Sequence, residues 1–374
     1  MLVELVHHVP QLLEHLPPIA LAQLLASCVS LRKHVHAHVT KISCAMDCHN
    51  VRVLTTGAWP RLTHLELNHS KILDVQSVSQ LAKATHLQLQ SLSLNYSEID
   101  SRLAEALLSV AYPHLKSLHL SGNNLTTSMT YLADAHLPLL EELELHDSKL
   151  GIQSMAALSK GSWLQLRTLI LSGNRIRAPG IQYLAEAYWP QLETINLNES
   201  GLDASGMIML LCCKWPCLQT LSLNQNLLYH MEQLPDSNQC LLLKHVHLAE
   251  SNVGFYSLRP LTQPRWCQLE TIDLSNNRIY GISELVQALW PALKTIRLND
   301  NPLAADAMAD LCKGNWPLLE CLYLCRCAVS GQQRDASAVL VLAAPTFCQA
   351  LLLVYSCALQ ACPLSAFLGH VENM

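Results

Sequence analysis

One motif returns eleven times along this chain of 374 residues. Its clearest copy places Leu166, Leu169 and Leu171 three and two residues apart and follows them with Asn174. Copies begin at Leu62, Leu89, Leu115, Leu140, Leu166, Leu192, Leu218, Leu243, Leu269, Leu293 and Leu319, with steps of 27, 26, 25, 26, 26, 26, 25, 26, 24 and 26 residues. A period held that tightly makes each copy one structural unit, too small to bury its own apolar face and stable only when stacked on its neighbours. Leu169 and Leu171 share one side of an extended segment and Ile170 points to the other, which predicts a short strand. Ile181, Leu184, Ala185 and Tyr188 then recur at helical spacing, which predicts a helix lying against that strand.

These features closely resemble leucine-rich repeats. The resemblance implies an α/β solenoid, a horseshoe or arc with parallel strands on the concave face and helices on the convex face. The polar slot reads Ser70, Ser97, Asn123, Ser148, Asn174, Ser200, Asn226, Ser251, Asn277, Asn301, Cys327. Asparagine there would satisfy turn backbone groups otherwise buried without partners. The strict alternation of Ser and Asn from Ser97 to Asn277 resembles ribonuclease-inhibitor-like repeats, and the length of about 26 residues resembles the cysteine-containing type. All seven tryptophans stand three residues before a leading leucine, and five of them precede proline. Proline disfavours helix in the residue before it, so Trp-Pro closes a helix and turns the chain toward the next strand. The tryptophans are read as a core ridge.

Half the residues are apolar, enough for a solenoid core, and the formal charge of -5 argues against a nucleic-acid binder, which carries a basic stripe. Fifteen cysteines, an odd number, fall mostly at helix or core positions such as Cys212, Cys213, Cys240, Cys312 and Cys321, without the paired spacing of a disulfide framework. Reduced thiols in a cytoplasmic or nuclear protein are the expectation. The first twenty residues lack a basic start, and His7, His8 and Pro10 break their apolar run, so no secretory signal is expected.

Residues 1–40 fall outside the period. Val9, Pro10, Leu12, Leu13, Leu16, Leu21, Leu24 and Cys28 pattern short helices with prolines between them, and this segment resembles an F-box. In that family the segment docks onto the adaptor of an SCF ubiquitin ligase, and the positions here that match are Val9, Pro10, Leu12, Leu13, Leu16 and Leu24. Gln11 stands where an acidic residue often follows the proline, and no tryptophan closes the segment. A helical cap over the first repeat is the competing reading. His34, His36, His38, Cys44, Cys48 and His49 match no closed zinc pattern, so no metal and no cofactor are expected. The organisation expected is an F-box-like segment or cap at 1–40, a linker at 41–58, eleven repeats over 59–343, and a degenerate twelfth repeat with a cap at 344–374. No charged residue occurs between Asp335 and His370, a length that would also suit a membrane tail, but Pro345 and Pro363 interrupt it.

If the strands line the concave face, the third, fifth, seventh and eighth places of each repeat look inward. The candidate partner-binding set there is His64, Glu66, Tyr96, His119, Glu142, Glu144, His146, Asp147, Glu199, His245, His247, Glu250, Asp273, Arg297 and Asp300. From Glu66 to Asp300 it holds eight carboxylates against one arginine, so the face is acidic and favours a basic protein partner. Its histidines would weaken such binding as they protonate near pH 6 to 6.5. Glu142, Glu144, His146 and Asp147 form the densest cluster. With no glycine-rich phosphate loop or nucleophile elbow and no evident pocket at the carboxylates, no catalytic residue is expected. The expected function is protein recognition, as substrate receptor of an SCF-type ligase, with a free-standing binding scaffold and a tail-anchored scaffold as alternatives.

Overall fold

The computed structural model describes residues 39–43, 60–70, 74–85, 88–231, 242–262, 266–304, 307, 310, 311, 313–327 and 339–341. The F-box-like positions Val9 to Leu24, the histidine–cysteine group from His34 to His49, Trp59, Cys240, Cys312 and the proposed twelfth repeat lie outside these residues. Two compact units emerge. One comprises residues up to Ser200 with Cys213–Trp215, and the other Gly201–Cys212 with Pro216 onward.

In the first unit seven strands run parallel and pair in chain order: β1 (Lys41–Ser43), β2 (His64–Glu66), β3 (Ser91–Ser93), β4 (Ser117–His119), β5 (Glu142–Glu144), β6 (Thr168–Ile170) and β7 (Thr194–Asn196). Between them, from β2 onward, come α1 (Val75–Thr85), α2 (Ser101–Leu108), α3 (Met129–Asp134), α4 (Ile152–Leu158) and α5 (Arg177–Leu184). β1 falls in the stretch expected to be a linker, so the sheet begins one strand before the first repeat. Its Ile42 is buried like the central residue of each repeat strand, which explains why three residues without the full motif can extend the ladder.

The second unit begins with α6 (Ala204–Leu211) and continues through parallel β8 (Thr220–Ser222), β9 (His245–His247), β10 (Thr271–Asp273), β11 (Thr295–Arg297) and β12 (Cys321–Tyr323). β13 (Val339–Val341) pairs antiparallel with β12. After β9 and β10 the return segments hold 3-10 turns, Phe255–Ser257, Arg259–Thr262 and Leu285–Gln287, where helices were expected. Pro260 inside the second of these turns removes a donor and blocks an α-helical turn, and the 24-residue step from Leu269 leaves less chain for a helix. The fold is an α/β leucine-rich-repeat solenoid.

Pairing in register places equivalent repeat positions side by side, so β1 to β12 bury their central residue and, Ser93 of β3 apart, leave the flanking residues at least partly exposed. Beneath the first sheet, Trp163, Trp189 and Trp215 are buried and stacked, with ring centroids 6.1 and 6.2 Å apart in successive pairs. Trp266 and Trp290 are as deeply buried in the second unit. The core-ridge reading of the tryptophans therefore describes their place in the fold.

The polar slot explains itself in hydrogen bonds. Asn174 Oδ1 accepts from the N–H groups of Ser148 and Leu150, at 3.1 and 2.9 Å, while its Nδ2 donates to the carbonyls of Leu145 and Leu171, both at 2.8 Å. Asn123 and Asn277 repeat the pattern. Serine reaches back with one hydroxyl: Ser97 Oγ donates to Leu67 O at 2.9 Å, and Ser251 Oγ to Leu223 O at 2.8 Å. In the eleventh repeat Cys327 Sγ lies 3.2 Å from Leu298 O, and burial pushes its thiol up to about 11. Each slot residue thereby satisfies backbone groups of the preceding turn that the stack has taken from water.

Candidate protein-recognition face

In each unit the face of the sheet opposite the buried leucines carries the candidate residues. In the first unit the rows run His64, Ser91, Ser117, Glu142, Thr168, Thr194 and Glu66, Ser93, His119, Glu144, Ile170, Asn196. Parallel strands set neighbours in a row about 5 Å apart. His119 therefore stands beside Glu144 and diagonal to Glu142, with Nδ1 3.8 Å from Glu144 Oε2 and Nε2 3.4 Å from Glu142 Oε2. Nε2 is buried and lacks a well-directed hydrogen bond to any described residue. His146 lies one turn on, with Nε2 3.0 Å from Asp147 Oδ2 and Nδ1 2.9 Å from Ser172 Oγ. His119 thus gathers Glu142 and Glu144, His146 holds Asp147 in the turn that follows, and no lysine or arginine pairs with these three carboxylates among the described residues.

Elsewhere the acidic face is partly compensated. Lys41 Nζ lies 2.9 Å from Glu66 Oε1, and Ser43 Oγ donates to Glu66 Oε2 at 2.6 Å. The Ser43 hydrogen bond, followed by Lys41, holds the Glu66 carboxyl below its usual range. In the second unit Arg326 donates through Nη2 to Asp300 Oδ2 at 2.7 Å, and that contact lowers the Asp300 carboxyl. There the fifth-place row reads Ser222, His247, Asp273, Arg297, Tyr323, and Arg297 lies over the Tyr323 ring at 4.4 Å. Burial depresses His247 below the ordinary histidine value, with His245 and Arg297 adding to the effect and Asp273 opposing it. Glu199 and Glu250 are exposed, and Glu250 accepts from Gln225 Nε2 at 3.2 Å. The compensating Lys41 was missed because it precedes the first repeat.

The eighth place of every repeat has a common conformation that the pattern of leucines did not reveal. His69, Tyr96, Gly122, Asp147, Gly173, Glu199, Gln225, Glu250, Asn276, Asp300 and Arg326 all have φ between 51 and 70°. The turn after each strand is left-handed, a conformation that glycine and, less readily, Asn and Asp adopt. Glycine at two of the eleven places was the available signal. Tyr96 makes use of one of them: a β-carbon at Gly122 would fall within its ring, which also stacks on His69 at 5.3 Å.

A second charge pattern, at the second place of the repeats, also went unread. Lys116, Glu141, Arg167, Glu193, Lys244, Glu270, Lys294 and Glu320 alternate in sign along the two units. Lys116 pairs with Glu141 at 2.9 Å, Arg167 with Glu193, and Lys294 with Glu270 at 2.6 Å. These pairs neutralise each other, so the field of the face is set by the strand residues and their turns.

His119, Glu142 and Glu144 offer one nitrogen and two carboxylate oxygens within 4.8 Å of one another. Ligands of a formed zinc site lie about 2.0–2.2 Å from the ion, so this set would have to contract around one. The arrangement carries no metal assignment. Cys217, Cys267, Cys321 and Cys327 are free, Cys213 is buried and Cys212 exposed. No helix among the described residues is long and apolar enough to cross a membrane.

The Leucine Rich Repeat family model matches residues 114–133 and 268–289, which open the third and ninth repeats. Those two repeats match the leucine-rich-repeat model itself. The leucine-rich-repeat fold of the chain has similar solved structures. An internalin, InlF of Listeria monocytogenes, is 18% identical over 81% of this chain and 85% of its own, with a TM-score of 0.49. Toll-like receptor TLR13 in complex with ssRNA13, and the plant peptide hormone receptor RGFR1 in complex with RGF2, are each 16% identical over 78% of this chain and 48% of their own, with TM-scores of 0.47. No curated protein matches the sequence.

Proposed function

We propose that this protein recognises a basic segment of another protein on the open face of its sheet, centred on Glu142, Glu144 and Asp147. The observation that carries this reading is that these three carboxylates of one repeat, with His119 and His146 as their recorded neighbours, are free of any lysine or arginine ion pair among the described residues. Two residues apart on β5 and in the turn that follows it, they reinforce one another's potential over a patch that a row of lysines or arginines would match. The F-box-like residues Val9, Pro10, Leu12, Leu13, Leu16 and Leu24 extend the proposal: the N-terminal segment tethers the solenoid to the adaptor of an SCF ubiquitin ligase, and the bound protein is its substrate. The bond chemistry then belongs to other subunits.

Two measurements on the full chain test the two halves. Co-elution with the purified SCF adaptor should be abolished by Leu24→Asp without a change in circular dichroism. If the wild-type chain does not co-elute, the tether is rejected and a free-standing scaffold remains. A partner captured by the wild-type chain should be lost when Glu142→Lys and Glu144→Lys are combined, and unchanged affinity would reject the acidic patch.

A further inference from the structure

A second surface feature lies wholly within the second unit. Tyr229 and Tyr280 each stand eleven residues after the leading leucines Leu218 and Leu269, in equivalent places of the seventh and ninth repeats. In the eighth repeat that place is taken by Gly254. Two exposed tyrosines and this position without a side chain line one cleft, and the Gly254 backbone lies beside that of Arg278 in the next repeat. A β-carbon at Gly254 would meet nothing within 4 Å, so the space between the tyrosines is open. It belongs to a cleft of about 590 Å³ whose lining also includes Tyr256 and Arg278.

The walls are held in place. Phe255 stacks on Tyr280 with centroids 5.5 Å apart and meets Tyr256 edge-on at 5.4 Å. Gly281 permits that approach, since a β-carbon there would come within 3.2 Å of the Phe255 ring. Leu227, Tyr229, Tyr256 and Tyr280 each expose about half or more of their surface, at 48, 52, 68 and 50%. Such a run of apolar surface is unusual on a soluble face. Arg278 is exposed at the rim and has no ion pair among the described residues, and the lining among those residues holds no carboxylate.

We propose that this cleft binds an extended, acidic segment of a partner protein, seating one apolar side chain over Gly254 between Tyr229 and Tyr280 and pairing an adjacent carboxylate with Arg278. The rigid aromatic walls supply area at low entropic cost, and the guanidinium selects the charge beside the anchor. The cleft and the open face thus differ in sign: one takes an acidic segment, the other a basic one. The inference does not depend on the SCF tether or on the acidic patch.

Gly254 allows a clean test because its backbone is extended, at φ -108° and ψ 178°, and accepts any side chain. A phage-displayed library of random peptides is selected on the full wild-type chain, and an enriched peptide is then synthesised and titrated. Enrichment of an apolar residue beside Asp or Glu is expected. Gly254→Trp, which fills the slot, and Arg278→Glu should each weaken that peptide about tenfold or more. Selection repeated on Arg278→Glu should replace the carboxylate by Lys or Arg. The combined Tyr229→Ala and Tyr280→Ala chain serves as the removal variant if Gly254→Trp alters the circular dichroism. No enrichment, binding that survives a filled slot, or an unchanged charge preference on Arg278→Glu would each overturn the proposal. Enrichment of basic peptides alone, lost on combining Glu142→Lys with Glu144→Lys, would report the open face and leave the cleft without a ligand, which would also overturn it.

Discussion

The Asp147 carboxylate of the fourth repeat occupies the space in which Gly173 of the fifth would carry a β-carbon. Both residues are left-handed, at φ 51 and 69°. Gly173→Ala therefore meets conformational strain of about 1–2 kcal/mol and also displaces Asp147 from the candidate cluster. Urea unfolding should show a loss of at least that size. Gly254→Ala is the opposite case, with an extended backbone and open space, and should be neutral or stabilise by up to about 1 kcal/mol. Equal effects at the two glycines would contradict this account.

Asn174→Ala removes an acceptor serving two backbone N–H groups and a donor serving the Leu145 and Leu171 carbonyls. Each buried group left without a partner costs about 1–3 kcal/mol, so a total of several kcal/mol is expected. Hydrogen exchange provides the local check: the Ser148 and Leu150 amides should lose protection before amides of the second unit do.

Trp189 is fully buried between Trp163 and Trp215. Trp189→Ala should cost about 3–5 kcal/mol, because neighbouring repeats cannot collapse into so large a void without losing strand register. Near-ultraviolet circular dichroism should lose more than one tryptophan's share of signal, since the stack is broken on both sides. A small change in stability would show that the ridge is not a main source of cohesion between repeats.

His247 gives a pH dependence of defined sign. Burial, ahead of the nearby charges, lowers its folded value below 6.5, so on acidification the unfolded chain takes up the proton first. Stability is full above about pH 6.5 and falls as pH drops through that value toward the folded one. His247→Asn should reduce the difference between urea midpoints measured at about pH 7.5 and about pH 5.5. An unchanged difference would assign the effect to other histidines.

The repeating leucines sufficed to establish an α/β solenoid, because side-chain alternation in a strand and helical spacing are local properties of the chain. They also located the third- and fifth-place residues, including His119, Glu142 and Glu144, and marked the tryptophans and asparagines as interior. Which of the eight carboxylates are left uncompensated was decided by adjacency across repeats. Lys41 reaches Glu66 only because a strand forms ahead of the first repeat, and Arg326 reaches Asp300 across 26 residues of chain. The slot at Gly254 has the same origin, since a glycine becomes a gap only when neighbouring turns hold tyrosines at its sides. Even the eighth place, read as one more inward position, is a left-handed turn, and from it Tyr96 and Asp147 reach the glycine of the next repeat. Periodicity records which residues are equivalent; contact between equivalent residues depends on backbone dihedrals and strand register, which only the tertiary structure supplies.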